Sequence, residues 1–270
     1  MLRYPADAYE RWKTAYPELT SAIDLIEVMH RAQRQLLVTT TEVICTLSPE
    51  DVVQALASGS SLAIVDVLPV SDARWTQAFA DIVGAVVDHF PTEDGAQLLI
   101  ELQQERVDVP LLMLDALDQN LADLAAMATQ LSVEAETLSF YASATLLPFL
   151  SAYADSLDQQ LLQENWLMGY CPICGREPLF SLPGQDTRAL FCHQCHSRWR
   201  YPPRQCAFCR DVNAHAYVEE PQTGVEVEVC NRCHRYLRQV SETQLAELDP
   251  ALLDQLTAAA GTHVESMGYR

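Results

Sequence analysis

Eight of the nine cysteines fall in four Cys-x-x-Cys pairs within the last third of the chain: Cys171/Cys174, Cys192/Cys195, Cys206/Cys209 and Cys230/Cys233. Their chemistry is metal ligation. A thiolate is a soft, charged donor, and two intervening residues let both sulfurs of a pair approach one ion. Eight thiolates suffice for two tetrahedral four-sulfur sites, as used by structural zinc and by mononuclear rubredoxin-type iron. The donor set fits both metals, and spacing alone does not choose between them. Such sites are closed, with no open position for a substrate, which argues against hydrolytic metal catalysis.

The knuckles form an internal repeat. Cys171 to Cys206 is 35 residues and Cys192 to Cys230 is 38. Each half reads knuckle, strand, turn, strand, knuckle, the layout of a ribbon gripping one ion from two sides. Sequential pairing puts Cys171, Cys174, Cys192 and Cys195 on one ion and Cys206, Cys209, Cys230 and Cys233 on the other. A cross-braced pairing is the alternative. The residue after each knuckle is expected at positive φ, which suits Gly175 and strains His196, Arg210 and His234. His193, His196 and His234 flank the knuckles as substitute ligands, although eight cysteines already fill two sites. Cys45 stands alone and reads as a buried apolar residue. No phosphate-binding loop, nucleophile elbow or paired-carboxylate motif is present, so a non-enzyme with no catalytic residues is expected.

The elements that must position these thiols change character near Trp166. Residues 1–165 read as an all-α domain, 166–240 as tandem rubredoxin-like or zinc-ribbon hairpins, and 241–270 as a C-terminal helix and tail: an α+β protein, mostly α. Apolar residues recur at helical spacing through Ala22, Leu25, Ile26, Met29 and Ala32, then Leu36 and Leu37, with Gln33 lying on the same stripe. Ser48 caps a helix opened by Pro49. Ser71 caps another through Trp75, Phe79, Ile82 and Val86 to His89. The pattern predicts single helices over 111–130 and 133–157, with Pro148 kinking or ending the second. In the ribbons, Trp199 and Tyr201 share a face, either as core or as a partner patch. Val225, Val227 and Val229 alternate with Glu226 and Glu228. Ser241 caps a closing helix to about residue 260, interrupted at Pro250.

The formal charge of −20 is uneven. Residues 1–170 hold 25 acidic and 7 basic side chains, whereas 171–240 hold 7 acidic residues and 9 arginines. The acidic bulk repels nucleic acid. Arginines near the knuckles have a simpler role, offsetting the net charge of thiolate-bound ions. The apolar runs are short and broken by charges, and the nearest candidate, 107–114, is far short of the roughly 20 residues of a membrane span, so no membrane insertion is expected. The N-terminus lacks the apolar core of a signal peptide. A cytoplasmic location is therefore expected, where paired thiols stay reduced and favour metal over disulfide.

The knuckle segment resembles the formate dehydrogenase accessory proteins, the FdhE family. The resemblance is carried by CPICG at 171–175, LFCHQCHSRWRY at 190–201, CAFC at 206–209 and EVCNRCHRYL at 228–237. Arg210 departs from the glycine often found there in that family. The resemblance implies an assembly factor that contacts the molybdenum- or tungsten-containing catalytic subunit of a respiratory formate dehydrogenase. It also implies two rubredoxin-like sites holding iron or zinc, with the eight knuckle cysteines as ligands. Two other functions fit the residues alone: a rubredoxin-like iron redox carrier, and a zinc-ribbon interaction module. Self-association is left open.

Overall fold

The computed structural model describes residues 4–5, 7–38, 43–184 and 186–270. Helices α1 (Ala8–Ala15) and α2 (Thr20–Val38) are joined by a 3-10 turn. Then come α3 (Pro49–Ala57), α4 (Leu62–Val65), α5 (Asp72–His89), α6 (Glu93–Gln103) and α7 (Val109–Asp118). Helices α8 (Leu121–Leu131), α9 (Ala135–Asp155) and α10 (Gln159–Asn165) complete the helical stretch. Strands β1 (Phe180–Leu182), β2 (Arg188–Phe191), β3 (Arg198–Tyr201), β4 (His215–Glu219), β5 (Glu226–Cys230) and β6 (Tyr236–Gln239) follow. Helices α11 (Glu242–Glu247), α12 (Pro250–Leu256) and α13 (Ala258–Ser266) come last. Contacts divide the chain into two compact units, Met1–Thr46 with Asp66–Leu157, and Leu47–Val65 with Asp158–Arg270. Helices α3, α4 and α10, which lie in the helical stretch of the sequence, thus group with the ribbons.

In the first unit α2 packs on α5 and α9. Their apolar stripes bury Ile23, Val28 and Leu36 against Trp75, Phe79, Ile82, Leu138 and Phe149. Ser71 stands at the N-cap of α5, although its side chain makes no capping bond. The single helix expected over 111–130 is two. Gln119 turns left-handed at φ 58°, and the Asn120 side chain caps α8 by accepting from the Asp123 N–H. A local cap here overrides a continuous apolar period.

Pro148 does not end its helix, since α9 runs on to Asp155. The reason lies in another helix. Proline has no N–H, so the carbonyl four residues back, that of Ala144, loses its helical donor. Gln33, fully buried in α2, supplies one: its Nε2 donates to the Ala144 oxygen at 2.8 Å. Gln33→Ala is expected to destabilise the unit by about 1–3 kcal/mol, the usual effect of orphaning a buried polar group. In the Gln33→Ala/Pro148→Ala double variant the restored N–H should recover part of that loss. Urea melts of the four proteins measure the coupling; strictly additive losses would contradict it.

In the second unit the two ribbons share one six-stranded sheet, ordered β3-β2-β1-β6-β5-β4. All neighbours pair antiparallel except β1 and β6, which are parallel. The repeat is therefore translational: third, second and first strand of one ribbon, then the same of the other. Phe180, Leu182 and Phe191 pack with Val240, Leu245 and Leu253, while Val227 and Val229 pack with Ala260 and Val264 of α13. The closing helix is three helices. Ser241 forms a capping box with Gln244, and Asp249 caps a fresh start at Pro250.

Candidate metal centres

The four knuckles repeat one backbone loop. The N–H of each first cysteine donates to the carbonyl five residues on: Cys171 to Arg176, Cys192 to Ser197, Cys206 to Asp211 and Cys230 to Arg235, at 2.8–3.0 Å. Each first cysteine's own carbonyl accepts from the N–H four residues on, that of Gly175, His196, Arg210 and His234 respectively. Closing that loop forces these four residues left-handed, at φ 73°, 59°, 63° and 58°, as their position after a knuckle predicts. The three non-glycines accept roughly 1 kcal/mol of strain each.

The loops aim the sulfurs inward in two sets. In the first, Cys171 lies 3.4 Å from Cys195, and Cys174 lies 3.5 Å from Cys192 and 3.7 Å from Cys195. In the second, Cys206 is 3.7 Å from Cys233 and Cys209 is 3.6 Å from Cys230. Four sulfurs at about 2.3 Å from one ion would stand roughly 3.8 Å apart in a tetrahedron. The separations fit that shape and are far too long for disulfides. All four ligand atoms of each set lie within 4.8 Å of one another. Each set could hold one metal ion, and the pairing is sequential, not cross-braced. Among the described residues, no histidine joins either set. Burial pushes the Cys171 and Cys174 thiols well above their ordinary value. A bound divalent cation reverses that preference, because ligation requires thiolates.

The two sets differ in exposure. Cys171, Cys174, Cys192 and Cys195 are all buried, whereas Cys209 and Cys233, the second cysteines of their knuckles, are only half-buried. The first knuckle also has a clamp. The Leu62 and Ala63 N–H groups donate to the Pro172 and Ile173 carbonyls, each at 2.9 Å. Ser61 Oγ donates to the Cys171 carbonyl at 3.0 Å, and the Tyr170 hydroxyl to the Gly59 carbonyl at 2.7 Å. Gly175 suits this approach as well as its φ, since a Cβ there would stand 3.2 Å from Ser61 Oγ. Residues 59–63 carry no ligand-like pattern and go unnoticed in the sequence, because the clamp works mostly through backbone groups. Gly169 is equally constrained, as a Cβ would collide with the Ala207 carbonyl of the third knuckle.

The arginines mostly do something other than offset thiolate charge. Arg235 makes a two-pronged pair with Glu177 at 2.6 and 2.5 Å and stands 3.9 Å over the Phe208 ring. Arg232 pairs with Asp211 at 2.9 Å, and Arg198, Arg238 and Arg188 pair with Glu242, Asp254 and Glu228. At least five of the nine thus face carboxylates among the described residues. Glu228, expected on the outer face beside Glu226, is buried by its contacts with Arg188, Ser181 and Gln239. Trp199 and Tyr201 are core residues, each 1% exposed, with Trp199 Nε1 donating to the Met168 carbonyl. Cys45 is half-buried, not an apolar core residue, and its sulfur accepts from the Tyr153 hydroxyl at 3.3 Å. Among the described residues no helix is long and apolar enough to cross a membrane.

No protein-family model matches the chain. It is 23% identical to a protein FdhE homolog of Aquifex aeolicus, over 50% of this chain and 50% of that protein. It is 30% identical to a protein FdhE homolog of Stutzerimonas stutzeri, over 43% of this chain and 45% of that protein. For Shewanella baltica the figures are 28%, 37% and 35%. These matches span between about a third and a half of the relatives' length. The fold is that of the crystal structure of the FdhE protein from Pseudomonas aeruginosa, with a TM-score of 0.66 at 20% identity. That superposition covers 98% of this chain and 92% of the other.

Proposed function

We propose that this chain, a member of the FdhE family, is a cytoplasmic accessory protein for the maturation of a respiratory formate dehydrogenase and binds its molybdenum- or tungsten-containing catalytic subunit. The observation that carries this reading is the pair of four-cysteine sets on a single sheet, within a fold shared with an FdhE protein. The eight knuckle cysteines would hold two ions, iron or zinc, and those ions would fix the shape of the ribbon unit. The chain itself would perform no chemistry on formate. Closed four-sulfur sites leave no position for a substrate. Reduced, paired thiols are compatible with the cytoplasm. Exposed Arg200 and Arg204, with no carboxylate pair among the described ion pairs, offer cationic contacts to the client.

Capture of the tagged protein from its own host, grown anaerobically with formate, tests this. A formate dehydrogenase catalytic subunit should co-purify, and be lost with Cys192→Ser/Cys195→Ser. Arg200→Glu/Arg204→Glu, in which the metals should stay bound, should weaken the capture if the ribbons are the contact. An eluate with no molybdenum or tungsten enzyme would overturn the reading.

One observation favours a second function. Half-buried Cys209 and Cys233 bring the second set near solvent, as electron exchange through rubredoxin-like iron requires. Full function of protein loaded with zinc at both sets would exclude that redox-carrier role.

A further inference from the structure

The helical unit carries a cleft of about 780 Å³ that the metal sets do not explain. It opens where the first turns of α2, α6 and α9 meet the end of α5. Its floor is apolar: Ala22 and Leu25 of α2, Val86 of α5, Phe90 just beyond it, and Phe140 of α9. Leu25 and Phe90 are only half-buried, and Phe140 is 36% exposed. Its rim is acidic. Glu93 and Asp94 in the first turn of α6 and Glu136 in the first turn of α9 line it, and no Lys, Arg or His does. The stretch 66–157, which supplies most of the lining, holds fifteen acidic side chains against two basic ones.

We infer that this cleft is a docking groove for an amphipathic helical segment of a partner protein, with apolar residues on one face flanked by lysine or arginine. Three features select this occupant. The apolar floor lies between helices, and the described residues of this unit contain no strand whose edge could pair with an extended peptide. Recognition must then come from side chains, which suits a helix presenting anchors at i, i+3, i+4 and i+7. The carboxylate rim supplies complementarity to flanking cations and disfavours an acidic segment. Small Ser21 and Ala22 on α2 leave the room that larger residues would fill. The inference concerns the helical unit alone and stands or falls separately from the client capture above.

The probe is a fluorescent synthetic Leu/Lys peptide with leucines at helical spacing, titrated with the full-length protein. Controls are a peptide of the same composition with leucine and lysine alternating, and a Leu/Glu peptide at helical spacing. The helical Leu/Lys peptide should bind, with affinity falling as salt rises, while both controls bind at least about tenfold more weakly. Ala22→Phe should weaken binding by a similar factor. Glu93→Lys/Glu136→Lys, on exposed first-turn positions, should do the same and keeps the test open if Ala22→Phe does not fold. Equal binding of the alternating peptide would reduce the effect to non-specific attraction and overturn the inference. So would unchanged binding by both variants. A dimer that Ala22→Phe dissociates and the peptide does not displace would make the occupant a second copy of this chain, also overturning it.

Discussion

Replacing Cys192 with serine is expected to release the ion of the first set and melt the ribbon sheet. The cause is geometric. Strand β2 runs straight into Cys192, and all four sulfurs of its set are buried. Loss of one ligand would leave three thiols, two of them already pushed up by burial, without the cation that favours their ionised form. The strands are only three to five residues long and depend on the knuckles to hold them in register. A structural four-ligand site contributes on the order of 10–16 kcal/mol to folding, more than a domain of ordinary stability can lose. The effect should spread, because β1 of the first ribbon pairs with β6 of the second at the centre of the sheet. Metal analysis should show the content falling by at least one ion per chain, with loss of protease resistance. Cys233→Ser, at a half-buried position of the second set, should release its own ion while the clamped first set keeps its metal. Two ions retained with unchanged protease resistance in Cys192→Ser would refute the structural role.

The knuckles were legible because their chemistry is local. Four identical spacings name the candidate ligands, and the repeat of knuckle, strand, turn, strand, knuckle suits the sequential grouping that the sulfurs adopt. The position after each second cysteine foretells its positive φ. What escaped was non-local or carried by backbone. Ser61, Leu62 and Ala63 hold the first knuckle through a hydroxyl and two N–H groups, which leave little trace in side-chain pattern. Strand β1 is too short to announce that it would join two ribbons in one sheet. Gln33 reads as a polar interruption of an apolar stripe until Pro148, over a hundred residues later, supplies its partner. The apolar period around Asn120 reads as one helix, and the break there shows only in the cap that its side chain makes. Glu228 alternates correctly with its valines, and its burial comes from non-local partners, Arg188 and Ser181 of the first ribbon and Gln239 of the second.

That buried pair has the second large expected effect. Arg188 and Glu228, with side chains 3% and 4% exposed, come from different ribbons. Arg188 Nη2 also donates to the Gln205 carbonyl at 2.6 Å, and its guanidinium stands 5.5 Å from the Tyr201 ring centroid. Glu228 accepts from the Ser181 hydroxyl and, at 3.0 Å, from Gln239 Nε2, so all four strands around the ribbon junction, β2, β1, β6 and β5, contribute. His215 Nε2 lies 3.3 Å from the same carboxylate. Burial and the nearby Arg188 charge push His215 down to about 4, so it is neutral at pH 7 and the pair remains one cation to one anion. Removing one partner leaves the other charge buried and uncompensated. Glu228→Leu and Arg188→Met are therefore each expected to lose about 3–5 kcal/mol in urea unfolding. The double variant should recover most of that loss, since an apolar pair of similar volume carries no desolvation penalty. Both metal sets should stay loaded in all three proteins, because none of these residues is a ligand. Independent, additive losses would mean that the two side chains do not act as a pair. Recovery with intact metal would assign the pair to holding two ribbons in one sheet register, a task that ions held one to a ribbon would not perform.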